Sequence, residues 1–127
     1  MNIVDSSGWL EYLAAGSNAP FFSDAIEQTK ELIVPTISIY EVFKRVAQQR
    51  SENEALQVVA LMQQAQVIPL DPSIAISAAR LSLQHNMPMA DSIMLATARA
   101  SKAVFWTQDG HFKGMPDVRY VKAVSAT

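Results

Sequence analysis

The stretch MPMADSIMLATARASKAVFWTQDG, residues 87–110, decides how this chain is read. Pro88 interrupts one helical pattern, and a second pattern runs from about Met89 to Ser101. That second pattern is apolar on nearly every side, so its helix belongs in an interior. Val104-Phe105-Trp106 then follows, short, β-branched and aromatic, and Thr107-Gln108-Asp109-Gly110 closes it as a turn. A buried helix feeding an apolar strand is the unit of a helix-covered parallel sheet.

The same grammar extends outward. Ile3-Val4, Leu32-Ile33-Val34, Val67-Ile68 and Val118 to Val121 read as four more strands, most of them apolar enough to be covered on both faces. Between them, Ile39, Val42, Phe43 and Val46 form the apolar stripe of a helix starting near Thr36 or Ser38. Ser51-Glu52-Asn53-Glu54 is a capping box opening a helix to about Gln64. Asp71-Pro72-Ser73 is an N-cap with proline at the first helical position, opening a helix to about His85. Trp9, Leu10 and Leu13 share a helical face that suits a core or a dimer surface. No repeat or linker interrupts the pattern. The expectation is one α/β domain over residues 1–127, with a five-stranded parallel sheet covered by helices on both faces.

Composition narrows the chemistry. Half of the 127 residues are apolar and 17% are charged, which is ordinary globular usage. A chain of this length buries roughly two-thirds of its unfolded surface, so it folds without staples. The absence of cysteine excludes disulfide frameworks, thiolate zinc sites and cysteine nucleophiles. A net charge of −2 supplies no general basic field, so any nucleic-acid contact needs a local patch. The longest uncharged run, Ala55 to Leu70, contains a proline and several glutamines and falls short of the ~18–20 apolar residues of a span. Asp5 arrives too early for a signal peptide, and a soluble cytoplasmic protein is expected.

In an open α/β sheet, chemistry gathers beyond the carboxyl ends of the strands. Asp5 follows the first strand, where it can equally cap the next helix. Glu41 lies off the apolar stripe of its helix, on one face with Arg45 and Gln48 and flanked by Lys44, as a solvated ion-pair face also demands. Asp91 sits in the buried helix, where a carboxylate is costly unless paired, although the first helical turn favours an anion. Asp109 follows a strand and precedes a glycine, a common turn arrangement. Together they point to four carboxylates in one crevice, held against their mutual repulsion by a hard cation, Mg²⁺ or Mn²⁺. Such sites activate water for in-line attack on a phosphodiester. Asp71 is set aside as a helix cap, and His85 and His111 are poor metal candidates; His111 is left a role in proton transfer or RNA contact. A simple up-and-down count of the helices does not bring Asp91 to the strand ends.

Four pieces of the chain resemble the PIN-domain ribonucleases, specifically the VapC-type toxins of prokaryotic toxin–antitoxin pairs. They are Ile3-Val4-Asp5-Ser6-Ser7, Ser38-Ile39-Tyr40-Glu41-Val42, residues 87–98, and Thr107-Gln108-Asp109-Gly110-His111-Phe112. Their order and spacing are family-like and the resemblance covers essentially the whole chain. It implies a strand order of 3-2-1-4-5 and a metal site of Asp5, Glu41, Asp91 and Asp109, which answers the placing of Asp91. It also implies a supporting hydroxyl from Ser6 or Thr107 and cleavage of structured RNA such as tRNA or rRNA; Lys44 and Arg45 are the candidate RNA contacts. Two departures stand out: His111 occupies a place where many members carry a further acid, and Lys44-Arg45 with Gln48-Gln49-Arg50 replaces a glycine-rich basic segment.

Two rival readings remain open to the residues alone. A phosphatase-like domain is weakened because Asp5-Ser6-Ser7 lacks a second aspartate two residues on and no glycine-rich phosphate loop exists. A binding module would use the acidic pocket to sense rather than cut. For assembly, Trp9, Leu10, Tyr12, Leu13 and the Ile39 stripe offer more apolar face than a small sheet covers, so a homodimer is expected. A cognate antitoxin is expected to inhibit by placing an arginine or lysine in the acidic groove.

Overall fold

Three-residue strands dominate this molecule, and the chain folds around how little of each one there is. The computed structural model describes residues 1–124. In chain order the elements are β1 (Asn2–Val4), α1 (Ser6–Leu13), α2 (Ala19–Ile26), β2 (Leu32–Pro35), α3 (Thr36–Gln49), α4 (Glu52–Met62), β3 (Gln66–Ile68), α5 (Pro72–His85), α6 (Met89–Ala100), β4 (Val104–Thr107) and β5 (Val118–Tyr120). The strands form one sheet in the order β3-β2-β1-β4-β5, every pair parallel. β1 is central, with Ile3 opposite Ile33 on one side and Phe105 on the other.

The period-two alternation of the strands divides the core into two layers. Ile3, Ile33 and Phe105 face α5 and α6, where they join Ile74, Leu81, Met94 and Leu95. Val4, Val34 and Trp106 face the other way, onto Trp9, Phe22, Val42 and Met62 from α1 to α4. Each large apolar side chain so buried stabilises the fold by roughly 1.5–3 kcal/mol before conformational entropy is counted. The helix between Ser92 and Ala98 is buried at every position, as its all-round apolar pattern requires.

Helix starts follow the expected chemistry. Ser51 accepts the Glu54 amide at the head of α4, and Asp71 accepts the Ile74 amide at 2.8 Å at the head of α5. Asn86 ends α5 in the left-handed region, φ 52°, a conformation asparagine tolerates better than most residues.

Two features go beyond the sequence pattern. The edge strands are less covered than the central ones: Gln66 of β3 and Arg119 of β5 are exposed. Arg119 lays its guanidinium 4.3 Å from the centre of the Trp106 ring, and so shields that aromatic surface. Helix α2 was not anticipated from the sequence. It packs through Phe22, Ala25 and Ile26, and its closeness to α1 depends on Gly8. A methyl group at Gly8 would sit 2.6 Å from the Phe22 ring and 2.7 Å from Val4 Cγ1, so only glycine fits.

No helix among the described residues is long and apolar enough to cross a membrane.

Candidate metal centre

The sheet brings Asp5 to its middle. The Asp5 amide donates to the Trp106 carbonyl at 2.9 Å, continuing the β1–β4 ladder one residue past the strand. Asp5 occupies the N-cap position of α1, yet its carboxylate closes no capping hydrogen bond. Instead Oδ2 accepts from Thr107 Oγ1 at 2.8 Å and from Ser7 Oγ at 3.1 Å. The side chain is only 4% exposed. Burial raises its pKa; the hydroxyls of Thr107 and Ser7 oppose that rise, and Asp109 adds to it.

Thr107 ties two acids together. Its hydroxyl, fully buried, donates to Asp5 and accepts the Asp109 amide at 2.9 Å. Asp109 Oδ1 in turn accepts the His111 amide at 2.9 Å and lies 3.0 Å from His111 Nδ1. The turn that follows β4 is therefore organised around its carboxylate, as its Asp-Gly sequence implies.

Glu41 enters from the second turn of α3, which begins directly at the end of β2. Its Oε1 accepts the Ser6 hydroxyl at 2.7 Å, so the first residue of α1 positions an acid from a helix thirty-five residues on. The same hydroxyl lies 3.5 Å from Met94 Sδ on α6, one turn past Asp91.

Asp91 stands in the first turn of α6, half-buried. Its pKa is raised to about 6, first by burial and then by the charges of Asp5, Asp109 and Glu41, with His111 opposing. A carboxylate placed there only to favour the helix dipole would be drawn toward ionisation. The shift runs the opposite way, through burial first and the neighbouring acids second.

The four acids are brought together. Asp5, Glu41, Asp91 and Asp109 line one cleft of about 260 Å³ with Ser6, Ser7, Leu10 and Arg45. Lys44 faces a neighbouring hollow, which it shares with Tyr40, Glu41, Arg45 and Gln48. Glu41 and Arg45 line both, so of the two cations Arg45 alone reaches the acidic cleft. A larger hollow of about 420 Å³ between α1, α3 and α4 is lined by Leu10, Leu13, Val46, Val58 and Leu61 and gathers no comparable set of acids.

The placing of Asp91 could not come from counting helices. Strands of three or four residues span only about 10–13 Å, and a three-residue link reaches roughly as far. Reversals of helices therefore do not settle which end of such a sheet a helix starts from. His111, discounted as a ligand on sequence grounds, is the other surprise. Asp91, Asp109 and His111 each offer one ligand atom, and the three lie within 4.8 Å of one another. The available signal was its spacing from Asp109 across the flexible Gly110.

This donor set fits a divalent cation. Several carboxylates press on one another in a space that water only partly reaches, and two of them have raised proton affinity. An ion of two positive charges relieves that repulsion and satisfies the oxygens.

The fold is shared with solved structures. A toxin–antitoxin complex from Klebsiella pneumoniae superposes with a TM-score of 0.76 at 20% identity, covering 94% of this chain and 96% of that one. The sarcin–ricin loop cleaving VapC toxin of Mycobacterium tuberculosis gives 0.75 at 13% identity, covering 91% and 95%. FitAcB from Neisseria gonorrhoeae gives 0.71 at 20% identity, covering 94% and 96%. No curated protein sequence matches the chain. The sequence model of the PIN domain family matches residues 3–118, nearly the whole chain. With that match and with the strand order described above, the chain belongs to the PIN domain family.

Proposed function

We propose that this chain is a divalent-metal-dependent endoribonuclease toxin that cuts structured RNA, tRNA or rRNA, in the cytoplasm, as a single domain over residues 1–127. The observation that carries the reading is the convergence of Asp5, Glu41, Asp91 and Asp109 in one cleft, with the pKa of Asp91 raised to about 6. The similarity to toxin–antitoxin structures supports the biological setting.

Asp5, Asp91, Asp109 and Glu41 would hold Mg²⁺ or Mn²⁺, and the bound ion supplies an activated water and charge neutralisation at the scissile phosphate. Thr107 keeps Asp5 and Asp109 in register with each other. Ser6 turns Glu41 toward the cleft. Arg45, on the cleft wall, and Lys44 beside it meet the RNA backbone, where positive charge positions the strand without reading its sequence. In-line hydrolysis that leaves the 2′-hydroxyl unused ends in 3′-hydroxyl and 5′-phosphate products.

The partner is a cognate antitoxin whose arginine or lysine enters the acidic cleft and replaces the charge of the metal. A second copy of the chain covers the half-buried faces of Leu10, Leu13, Ile39 and Phe43, giving a homodimer.

The test is purified chain with total RNA and Mn²⁺ or Mg²⁺. Discrete fragments with 3′-hydroxyl ends, absent in EDTA, are expected. Cyclic-phosphate ends, or full activity in EDTA, would overturn the metal-dependent reading.

A further inference from the structure

We propose that His111 contributes a nitrogen ligand to the ion held by Asp91 and Asp109, and that this chain consequently prefers Mn²⁺ to Mg²⁺. The inference rests on the metal site argued above but concerns a residue outside its four acids.

The geometry is local and specific. His111 Nδ1 lies 3.0 Å from Asp109 Oδ1, and the backbone amide of His111 holds the same oxygen at 2.9 Å. Two atoms bound side by side at about 2.1 Å from one octahedral ion are themselves about 3.0 Å apart. Asp91 completes the group, with all three ligand atoms within 4.8 Å. Asp5 is not in this group, and its Oδ2 already serves Thr107 and Ser7. The imidazole is 73% exposed, so burial against apolar neighbours does not explain its approach to the carboxylate.

The chemistry follows from the donor. Mg²⁺ demands oxygen ligands and gives up water reluctantly, whereas transition ions accept imidazole. A neutral ring also adds a ligand without adding a fifth negative charge to a crowded cleft. An acid at this position would do the reverse: it would deepen the repulsion and suit Mg²⁺. Exchange of an oxygen for a nitrogen donor therefore shifts preference between ions rather than creating or abolishing the site.

The experiment uses the metal-stripped full chain at pH 8. Mn²⁺ and Mg²⁺ affinities are measured by calorimetry, and the Mn²⁺-loaded protein is examined by electron spin-echo spectroscopy for directly bound ¹⁴N. The sequence has two histidines, His85 and His111, so the assignment needs only His85→Ala and His111→Ala. The nitrogen signal is expected in the parent and in His85→Ala and absent in His111→Ala. His111→Ala should weaken Mn²⁺ at least about tenfold while leaving Mg²⁺ little changed. His111→Asp should strengthen Mg²⁺ binding relative to the parent and lower the Mn²⁺-to-Mg²⁺ preference. A signal that persists in His111→Ala, a parent without one, or equal loss of both ions overturns the proposal. Asp109→Asn separates the two levels: if it leaves Mn²⁺ binding intact, or if the parent binds no Mn²⁺, the underlying metal site fails as well.

Discussion

Asp5 and Asp71 occupy the same local setting, an aspartate between a strand and a helix, and the molecule uses them in opposite ways. Asp71 follows the edge strand β3, is exposed, and gives its carboxylate to the Ile74 amide at the head of α5. Asp5 follows the central strand β1, is buried, and leaves the head of α1 uncapped while its oxygen meets Thr107 and Ser7. What separates them is position in the sheet. At the edge, solvent and a free helix end decide the hydrogen bonding. At the centre, β4 and α6 converge on the same point and bring Asp109 and Asp91 with them. A strand–aspartate–helix sequence is therefore an ambiguous sign until the strand's place in the sheet is known.

The largest expected effect tests that contrast directly. Asp5→Asn should lower RNA cleavage at least about a hundredfold, given what the loss even of a supporting contact costs a metal site. Asp71→Ala should leave cleavage within about twofold and instead destabilise the fold by about 0.5–2 kcal/mol, the cost of a lost cap. Measuring initial rates and denaturant midpoints on both variants decides it. If Asp71→Ala silences cleavage in a folded protein, the division between cap and site is wrong.

A smaller effect should come from the residue that makes Asp5 different. Thr107→Val keeps the shape but removes a hydroxyl that serves both Asp5 and Asp109. Leaving buried partners unsatisfied costs about 1–3 kcal/mol, so the variant should unfold at lower urea, while Thr107→Ser should recover most of the loss. Equal stability of Thr107→Val and the parent would mean that the hydroxyl is not holding the two acids.

The smallest effect concerns charge alone. The pKa of Asp91 lies above its unfolded value, at about 6, so the folded chain retains that proton longer than the unfolded one. Its stability is then full near pH 4, falls as pH rises toward 6, and stays reduced above that. Asp91→Asn removes the titration. In EDTA it should melt with the parent at pH 4 and higher than the parent at pH 7, on the order of 1 kcal/mol or a few degrees, since solvent screens a half-exposed group. A variant that melts lower than the parent at pH 7 would return Asp91 to a helix-dipole role.

The sequence was most informative where one residue type has one cause. The all-round apolar run of α6, the apolar pair Ile3-Val4 as a strand, and the Ser51 and Asp71 caps were all legible because local rules governed them. Helix α2 was not: it is one of the shortest helices, carries Pro20 near its start, and has no side-chain cap. Its reason to exist is the fit of Phe22 against Gly8, a tertiary contact that no window of sequence contains. The acids were nameable one by one and a shared crevice was expected of them, but how the fold brings them together was not legible. It depends on a Ser6–Glu41 bond across thirty-five residues and on sheet dimensions too short to count across. His111 fell between, since its spacing from Asp109 was visible while its approach to Asp91 was not.

Gly8 has a further consequence for how such a chain tolerates change. The gap between α1 and its neighbours is set by a hydrogen atom, and the helix hung across that gap carries Ser6 at its first residue and follows Asp5 directly. A side chain there acts as a wedge, and the displacement reaches both residues at the start of the same helix. A cell escaping an unrestrained nuclease need not alter a single acid. One added methyl, two residues beyond Ser6, should suffice to shift Ser6 and Asp5 from the places they hold.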